Sequence, residues 1–498
     1  MSYVMSYVAA FDLGTTAIKG VLVSREGKAV FQHTLPLKTL FSGEYKEQDP
    51  RDWYRAFCGI SRMIFENGFS PDHILGIIMS GQMQDLIPVD GEGNPLRNAI
   101  LYSDGRAVEE AAYINSLIGE DSIRRITGNT MDASIPAAKL LWYKKNEESK
   151  YGKTASVLGS SKDYVILRLC GKMMGDITSA STFGLMDIHK KRWDGSLLQT
   201  LAIPSHILPE LFSCGEQAGT VSGTGAEQTG FLRGTPVYAG SGDAGASTLS
   251  SGITRDGEYS IYLGTSGWIA AISKDVLSRP GVFNLAAIPP DLYINVVPFL
   301  NAGGVHKWVS DLLWPAESGL GKYDYIDSLL ENSAAGSGGL LFLPYLSGER
   351  FPVMDPKIRG AFIGIDNETT RSQMARACLE GVAFSIRQGL ETISRDSVKT
   401  IRLTGGGAKT PVWRQILADV LHSSITQSGG DSEYLPSIAL SGSVFISRGL
   451  AVSHEDFAAS LQDSKKALRY DPSISSAEYL DAQYQRYLKI YPAIKNLF

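Results

Sequence analysis

Cysteine is scarce. There are four in 498 residues, and Cys58, Cys170, Cys214 and Cys378 stand far apart, with no CxxC pair and no accompanying histidine spacing. That pattern excludes a disulfide framework and a zinc site and points to buried thiols in a reducing cytosol. Long apolar runs are missing too: no stretch reaches the roughly 18 residues of a membrane span, and the N-terminus has no charged segment leading into an apolar one. Neither a membrane anchor nor a signal peptide is expected. Basic clusters are also absent. The formal net charge is −5 and the Lys and Arg residues are scattered singly, which removes nucleic acid and anionic lipid from the expected partners. There is no low-complexity segment and no short tandem repeat. The opening "MSYVMSYV" reads as a duplicated start, whose residues 1–5 add nothing to the fold.

What is present is an ordinary globular composition, 43% hydrophobic and 20% charged, in a chain long enough for two or more domains. Residues 6–12, 18–24 and 28–35 read as a three-strand meander with "REGK" at one turn. Asp49-Pro50 then supplies an N-cap and first residue for an amphipathic helix whose buried face carries Trp53, Phe57, Ile60 and Ile64. "HILGIIMSG" (73–81), "TPVYAGSGD" (235–243), "SIYLG" (260–264), "GLLFLPYL" (339–346) and "TIRLTGGG" (400–407) read as buried strands of mixed sheets covered by helices. The fold class is therefore α/β, with a domain boundary near residue 251.

Chemically useful residues fall at or just past the carboxyl ends of these strands, where open α/β sheets present ligand sites. "AAFDLGTTAIKGVLVS" (9–24) runs a strand into Asp12, Gly14, Thr15 and Thr16. "YSIYLGTSGWIAAIS" (259–273) repeats the device with Gly264, Thr265 and Ser266. Glycine beside hydroxyl residues bares backbone N–H groups to which a phosphate chain can come close, and the hydroxyls add donors. A capped β-turn is the competing reading of one copy; the second copy, half a chain away, weakens it. Asp12 suits a hard cation travelling with phosphates. "LTGGGAKTPVWRQILAD" (403–419) opens a helix capped by Thr410-Pro411, with Ile416, Leu417, Val420 and Leu421 inward. Its Gly405-Gly406-Gly407 is either tight packing or bare backbone under a flat adenine or a ribose. It is not a GxxxxGK[ST] loop. Asp243, amid small residues in "AGSGDAGAST", is either a helix N-cap or a general base taking the proton from a hydroxyl that attacks a γ-phosphate.

Taken together, these residues resemble the FGGY carbohydrate kinases, relatives of actin, hexokinase and the heat-shock chaperone ATPases, over essentially the whole length. "FDLGTTAIKG" is similar to the family's first phosphate motif, "YLGTSG" to its second and "LTGGGAKTPVWRQILAD" to its adenosine motif. "SIPAAKLLWYKKNEE" (134–148) and "GAFIGIDNETTRSQMARACLEG" (360–381) are similar to its two signatures, departing at Tyr143 and Cys378. The resemblance implies two ribonuclease-H-like (actin/hexokinase-type ATPase) domains, 1–251 and 252–498, with ATP and Mg2+ in the cleft between them. It gives Asp243 the role of base and Asp12 that of metal residue. Gly14, Thr15, Thr16, Lys19, Gly264, Thr265, Ser266, Gly405, Gly406, Gly407 and Ala408 would hold the nucleotide, and Met83, Gln84 and Asp104 the sugar.

Within the family, "EQDPRDWYRA" (47–56), "SGQMQDLIPVDGEGNPLRNAILYSDGRA" (80–107) and "SKDYVILRLCG" (161–171) most resemble xylulokinases, which implies D-xylulose as substrate. Those enzymes read Met-His-Gly at Met83-Gln84-Asp85 and Asn-Asp at Ser103-Asp104, so gluconate, another ketose or a polyol stays open. A nucleotide-driven binding module of the chaperone type is the alternative from another class. Its separate substrate domain is not expected in a chain ending with the terminal helix near Phe498. The expected partners are ATP and a small sugar, the expected location is the cytoplasm, and homodimerisation is left open.

Overall fold

The computed structural model describes residues 6–43, 45–315, 317–427, 433–461 and 468–498, so residues 1–5 of the duplicated start lie outside the described residues. Two seven-stranded sheets form the framework, and the same wiring builds both. In the first, Tyr7–Leu13, Ala17–Ser24 and Ala29–Pro36 make the expected antiparallel meander. Tyr7–Leu13 also runs parallel to Ile74–Gly81, which runs parallel to Pro236–Tyr238, and Gln217–Thr220 closes that edge antiparallel. In the second, Tyr259–Leu263, Gly267–Ser273 and Tyr293–Phe299 are the meander. Thr400–Thr404 and Ser424–Gln427 follow parallel, and Leu468–Tyr470 closes antiparallel, with Phe283–Ala286 added at the other edge. The repeated strand-turn-strand is thus one corner of a repeated sheet.

Local sequence explains the elements around these sheets. Asp49 caps helix Pro50–Glu66 by accepting from Arg51 N at 2.9 Å, with Pro50 in the first turn, where a missing N–H costs nothing. Its Trp53, Phe57, Ile60 and Ile64 pack on Phe11, Leu22 and Ile77 beneath the first sheet. Helix Arg371–Ile393 opens with a Thr370/Gln373 capping box and buries its apolar side under the second sheet. The run 339–346 departs from expectation. Only Leu341–Leu343 is extended, paired with Ala361–Ile363 in a separate two-stranded sheet, because helix Arg371–Ile393 and the tyrosines near the C-terminus already surround it.

Contacts from several elements stitch the two halves together. Sheet membership changes near residue 251, but helix Leu435–Ser447, beyond the second sheet's parallel strands, crosses back. It packs Ile438, Leu440, Val444 and Phe445 on Val8, Ala10, Val21, Val23, Ile78 and Tyr238 of the first sheet. Elsewhere a buried amide seam crosses the halves. Asn129 Nδ2 donates to the Asn284 carbonyl at 2.9 Å and Asn129 Oδ1 accepts from Asn284 N at 2.8 Å, while Asn284 Nδ2 donates to the Gly128 carbonyl at 2.6 Å.

Candidate active site

The parallel strands of the first sheet end at one edge, which brings the acidic residues together. Asp12 pairs in register with Ser80, and Ser241–Gly242 continue alongside Ser80–Gly81, so that Asp243 emerges at the same edge as Asp12. Asp243 is the first residue of helix Asp243–Ser250; Gly242 holds the cap position, which removes the N-cap reading. Its Oδ1 accepts from Ala244 N at 2.8 Å. The side chain opens to the cleft, yet the walls on both sides exclude enough water, and Asp12 adds enough repulsion, to push its pKa up to about 7. Burial also raises Asp12, against a 2.8 Å hydrogen bond from Ser80 Oγ to its Oδ1 and the charge of Lys19.

A cavity of about 470 Å³ lies between the halves. Asp12, Gly14, Lys19, Asp243 and Ser247 line it from one side, and Tyr262, Trp268, Thr404, Gly405 and Gly406 from the other. Gly405, at φ +93°, lies so close to the second turn that a Cβ would stand 2.6 Å from the Leu263 carbonyl oxygen, so this position needs glycine for conformation and space alike. Lys19 reaches Glu433 at 3.3 Å.

The remaining expected residues fall outside this lining, each for a visible reason. In the first turn, the Thr15 hydroxyl points backwards and donates to Gln82 Oε1 at 2.6 Å, and the Thr15 carbonyl accepts from Gln48 Nε2 at 2.7 Å. Thr15 thus braces the turn through its hydroxyl and its carbonyl. Thr16 is exposed. In the second turn the carbonyls of Gly264 and Thr265 accept from Gly303 N and Gly304 N at 2.7 and 2.9 Å, docking the turn on the start of helix Gly303–Leu313 and leaving Thr265 and Ser266 exposed. Gly407 packs on Trp413 and Leu263. Ala408 is in the short turn Gly406–Lys409, and its side chain lies outside the described residues.

On the sugar side, Asp104 buttresses its own loop. It is wholly buried, and its oxygens take Lys46 N at 2.6 Å and the Arg106 guanidinium at 2.7 and 2.8 Å. Met83 packs into an apolar cluster with Ile253, Ala270 and Leu285 at the junction of the halves. Gln84 is half-buried and left-handed, at φ +61°. Its carbonyl accepts from the buried Lys139 Nζ at 2.9 Å. The neighbouring Asp85 is fully buried with Oδ2 unpartnered, and burial, only partly offset by Lys139, holds its carboxyl well above the usual range.

Sequence reading missed Tyr262 and Trp268, whose rings stack 4.2 Å apart at 16°. A signal was available in the duplication. Aligning "DLGTTAIK" on "YLGTSGW" sets Tyr262 against Asp12, and the structure pairs Asp12 with Lys19 and Tyr262 with Trp268 across their hairpins. One copy lines the cavity with a charged pair and the other with an aromatic pair.

The cation such a site would take fits these donors. Asp12 and Asp243 offer oxygen only, and no group of three or more His, Cys, Asp or Glu that could hold a metal occurs among the described residues. A hard ion that completes its shell with water and phosphate oxygens matches that set.

Comparison with known proteins agrees with this geometry. The xylulose kinase of Staphylococcus xylosus is 32% identical over 85% of this chain and 87% of its own length. The gluconokinase of Bacillus subtilis is 29% identical over 84% of each. The crystal structure of xylulose kinase from Rhodospirillum rubrum superposes with a TM-score of 0.90 at 27% identity, covering 99% of both chains. Residues 7–250 match the N-terminal domain and residues 259–433 the C-terminal domain of one family: the chain belongs to the FGGY family of carbohydrate kinases.

Proposed function

We propose that this ATP-dependent carbohydrate kinase phosphorylates D-xylulose to D-xylulose 5-phosphate in the cytoplasm, with Asp243 as the base. The observation that carries the chemistry is the Asp243 carboxylate, poised near pH 7 at one wall of the cavity and facing the bare backbone of Gly405 and Gly406 on the other. A base ionised at working pH accepts the proton of a sugar hydroxyl as that hydroxyl takes the γ-phosphoryl group. Gly14 and Lys19 hold the phosphates on the side of the base, and the braced first turn keeps them in place. Asp12 would hold Mg2+, which when bound neutralises phosphate charge.

Xylulose is favoured over a sugar acid by the state of the cations around Gln84. Lys139 is buried on the carbonyls of Gln84 and Leu101, Arg106 is committed to Asp104 and Glu47, and Lys46 donates to the Ser103 carbonyl. With these cations committed and Asp243 nearby, a gluconate carboxylate would find no cationic partner and would meet the Asp243 charge. ADP release measured over ketoses, sugar acids and polyols should give the highest kcat/KM with D-xylulose. Gluconate ranking first would overturn the substrate assignment, and ATP turnover indifferent to every sugar would overturn the kinase reading.

A further inference from the structure

Behind Asp243, on the side away from the cavity, lies a buried ion triad that the phosphoryl-transfer chemistry leaves unused. Lys162 is wholly buried, with Nζ 2.6 Å from Asp163 Oδ1 and 2.8 Å from Asp176 Oδ2. Burial works against its charge, and the two carboxylates outweigh burial and keep it protonated. Replacing such a cluster with apolar side chains is often neutral or stabilising, so stability alone is a weak reason for it.

The triad's geometry suggests another reason. Asp176 Oδ1 accepts from Ser179 N at 2.9 Å, capping the turn Ile177–Ala180, and from Gly242 N at 3.3 Å, the amide of the residue that precedes Asp243. The capped turn is also tied to the second half: Thr178 Oγ1 donates to the Ala286 carbonyl at 2.8 Å and Ser181 Oγ accepts from Ala286 N at 2.9 Å. Asp176 is therefore where the backbone carrying the base meets the edge strand Phe283–Ala286 of the other sheet.

We propose that Asp176, clamped by Lys162, is a positioning residue that fixes the peptide carrying Asp243 and ties it to the second half of the molecule. This rests on Asp243 being the base. Asp176 reaches no substrate; it acts through Gly242. Misplacing a reacting group by about 1 Å can cost on the order of a hundredfold in rate.

Asp176→Ala is the direct test, because Lys162 keeps Asp163 as a partner. It should lower kcat by about a hundredfold while the KM values for sugar and ATP stay within about twofold. Asp176→Asn, which retains the acceptor oxygen, should recover most of that loss. In an Asp243→Asn background, Asp176→Ala should cost nothing further, since residues acting as a unit are non-additive. Wild-type kcat in Asp176→Ala, a rise in both KM values in place of a fall in kcat, or an undiminished effect in the Asp243→Asn background would overturn the positioning role. Wild-type kcat in Asp243→Asn alone would overturn the assignment of the base instead.

Discussion

At the scale of single residues, the role of base proposed for Asp243 comes with a thermodynamic cost. Its folded-state pKa of about 7 stands above the ordinary carboxylate value. The folded protein therefore binds that proton more tightly than the unfolded chain, and the stability this contributes is full at low pH and is lost as pH rises through 7. Asp243→Asn should lower kcat by several orders of magnitude with KM for ATP nearly unchanged. It should also melt at a higher temperature than the wild type at pH 8, with the gap shrinking toward pH 5. A gap that widens on acidification would contradict the sign. Gln84→Ala should raise KM for the preferred sugar at least tenfold and leave KM for ATP alone, because a site built to bond a hydroxyl discriminates strongly when that partner is lost. A shift in melting temperature with unchanged sugar ranking would show that Gln84 only shapes its turn. As lining of the cavity, Asp12, Gly14, Asp243, Gly405 and Gly406 were legible in the sequence because a polar or bare residue at the end of an apolar strand has few structural uses, whereas Lys19 came from the family resemblance alone. The bracing of Thr15 and of Asp104 was not legible, since Gln82, Gln48 and Lys46 come from other segments and engage their polar atoms there. Tyr143, an oddity by family pattern, is a buried phenol hydrogen-bonded to Thr154 Oγ1 at 3.2 Å.

At the scale of elements, the hairpins and the helix Pro50–Glu66 could be read residue by residue because their determinants are local. Alternation, Gly turns, and Asp49-Pro50 all lie within a few positions of what they specify. Asp49→Ala should cost about 1 kcal/mol of stability by loss of the cap, read as a shift in denaturant midpoint at constant slope. The opposite case is Leu435–Ser447, an apolar helix whose destination no local pattern encodes, because the surface it covers is made by residues 8–78 and 238. The aromatic hairpin stands between these cases. Trp268→Ala should raise KM for ATP several-fold with kcat little changed, because it removes a cavity wall and leaves the base and the first turn intact. A fall in kcat at constant KM would place Trp268 closer to the reacting atoms.

At the scale of the whole molecule, the proposed base sits in one half and the second turn and glycine loop in the other, which predicts that the halves approach during transfer and exclude water from the phosphoryl group. The buried Asn129–Asn284 seam already joins the halves by paired hydrogen bonds and is expected to persist through such a motion. X-ray scattering should show a smaller radius of gyration with sugar and a non-hydrolysable ATP analogue than with neither; superimposable curves would rule out closure by a hinge. The helix Leu435–Ser447 has a separate consequence, for the order in which the protein is made. The first sheet leaves the ribosome early, but the helix that covers its Val8, Val21 and Ile78 face comes nearly two hundred residues after the last strand of that sheet. At synthesis rates of roughly 5–20 residues per second, that apolar face waits on the order of ten to forty seconds for its cover. For that interval the nascent chain carries an unfinished hydrophobic surface, which makes it a client for chaperones during translation and makes truncation ahead of residue 435 a route to aggregation.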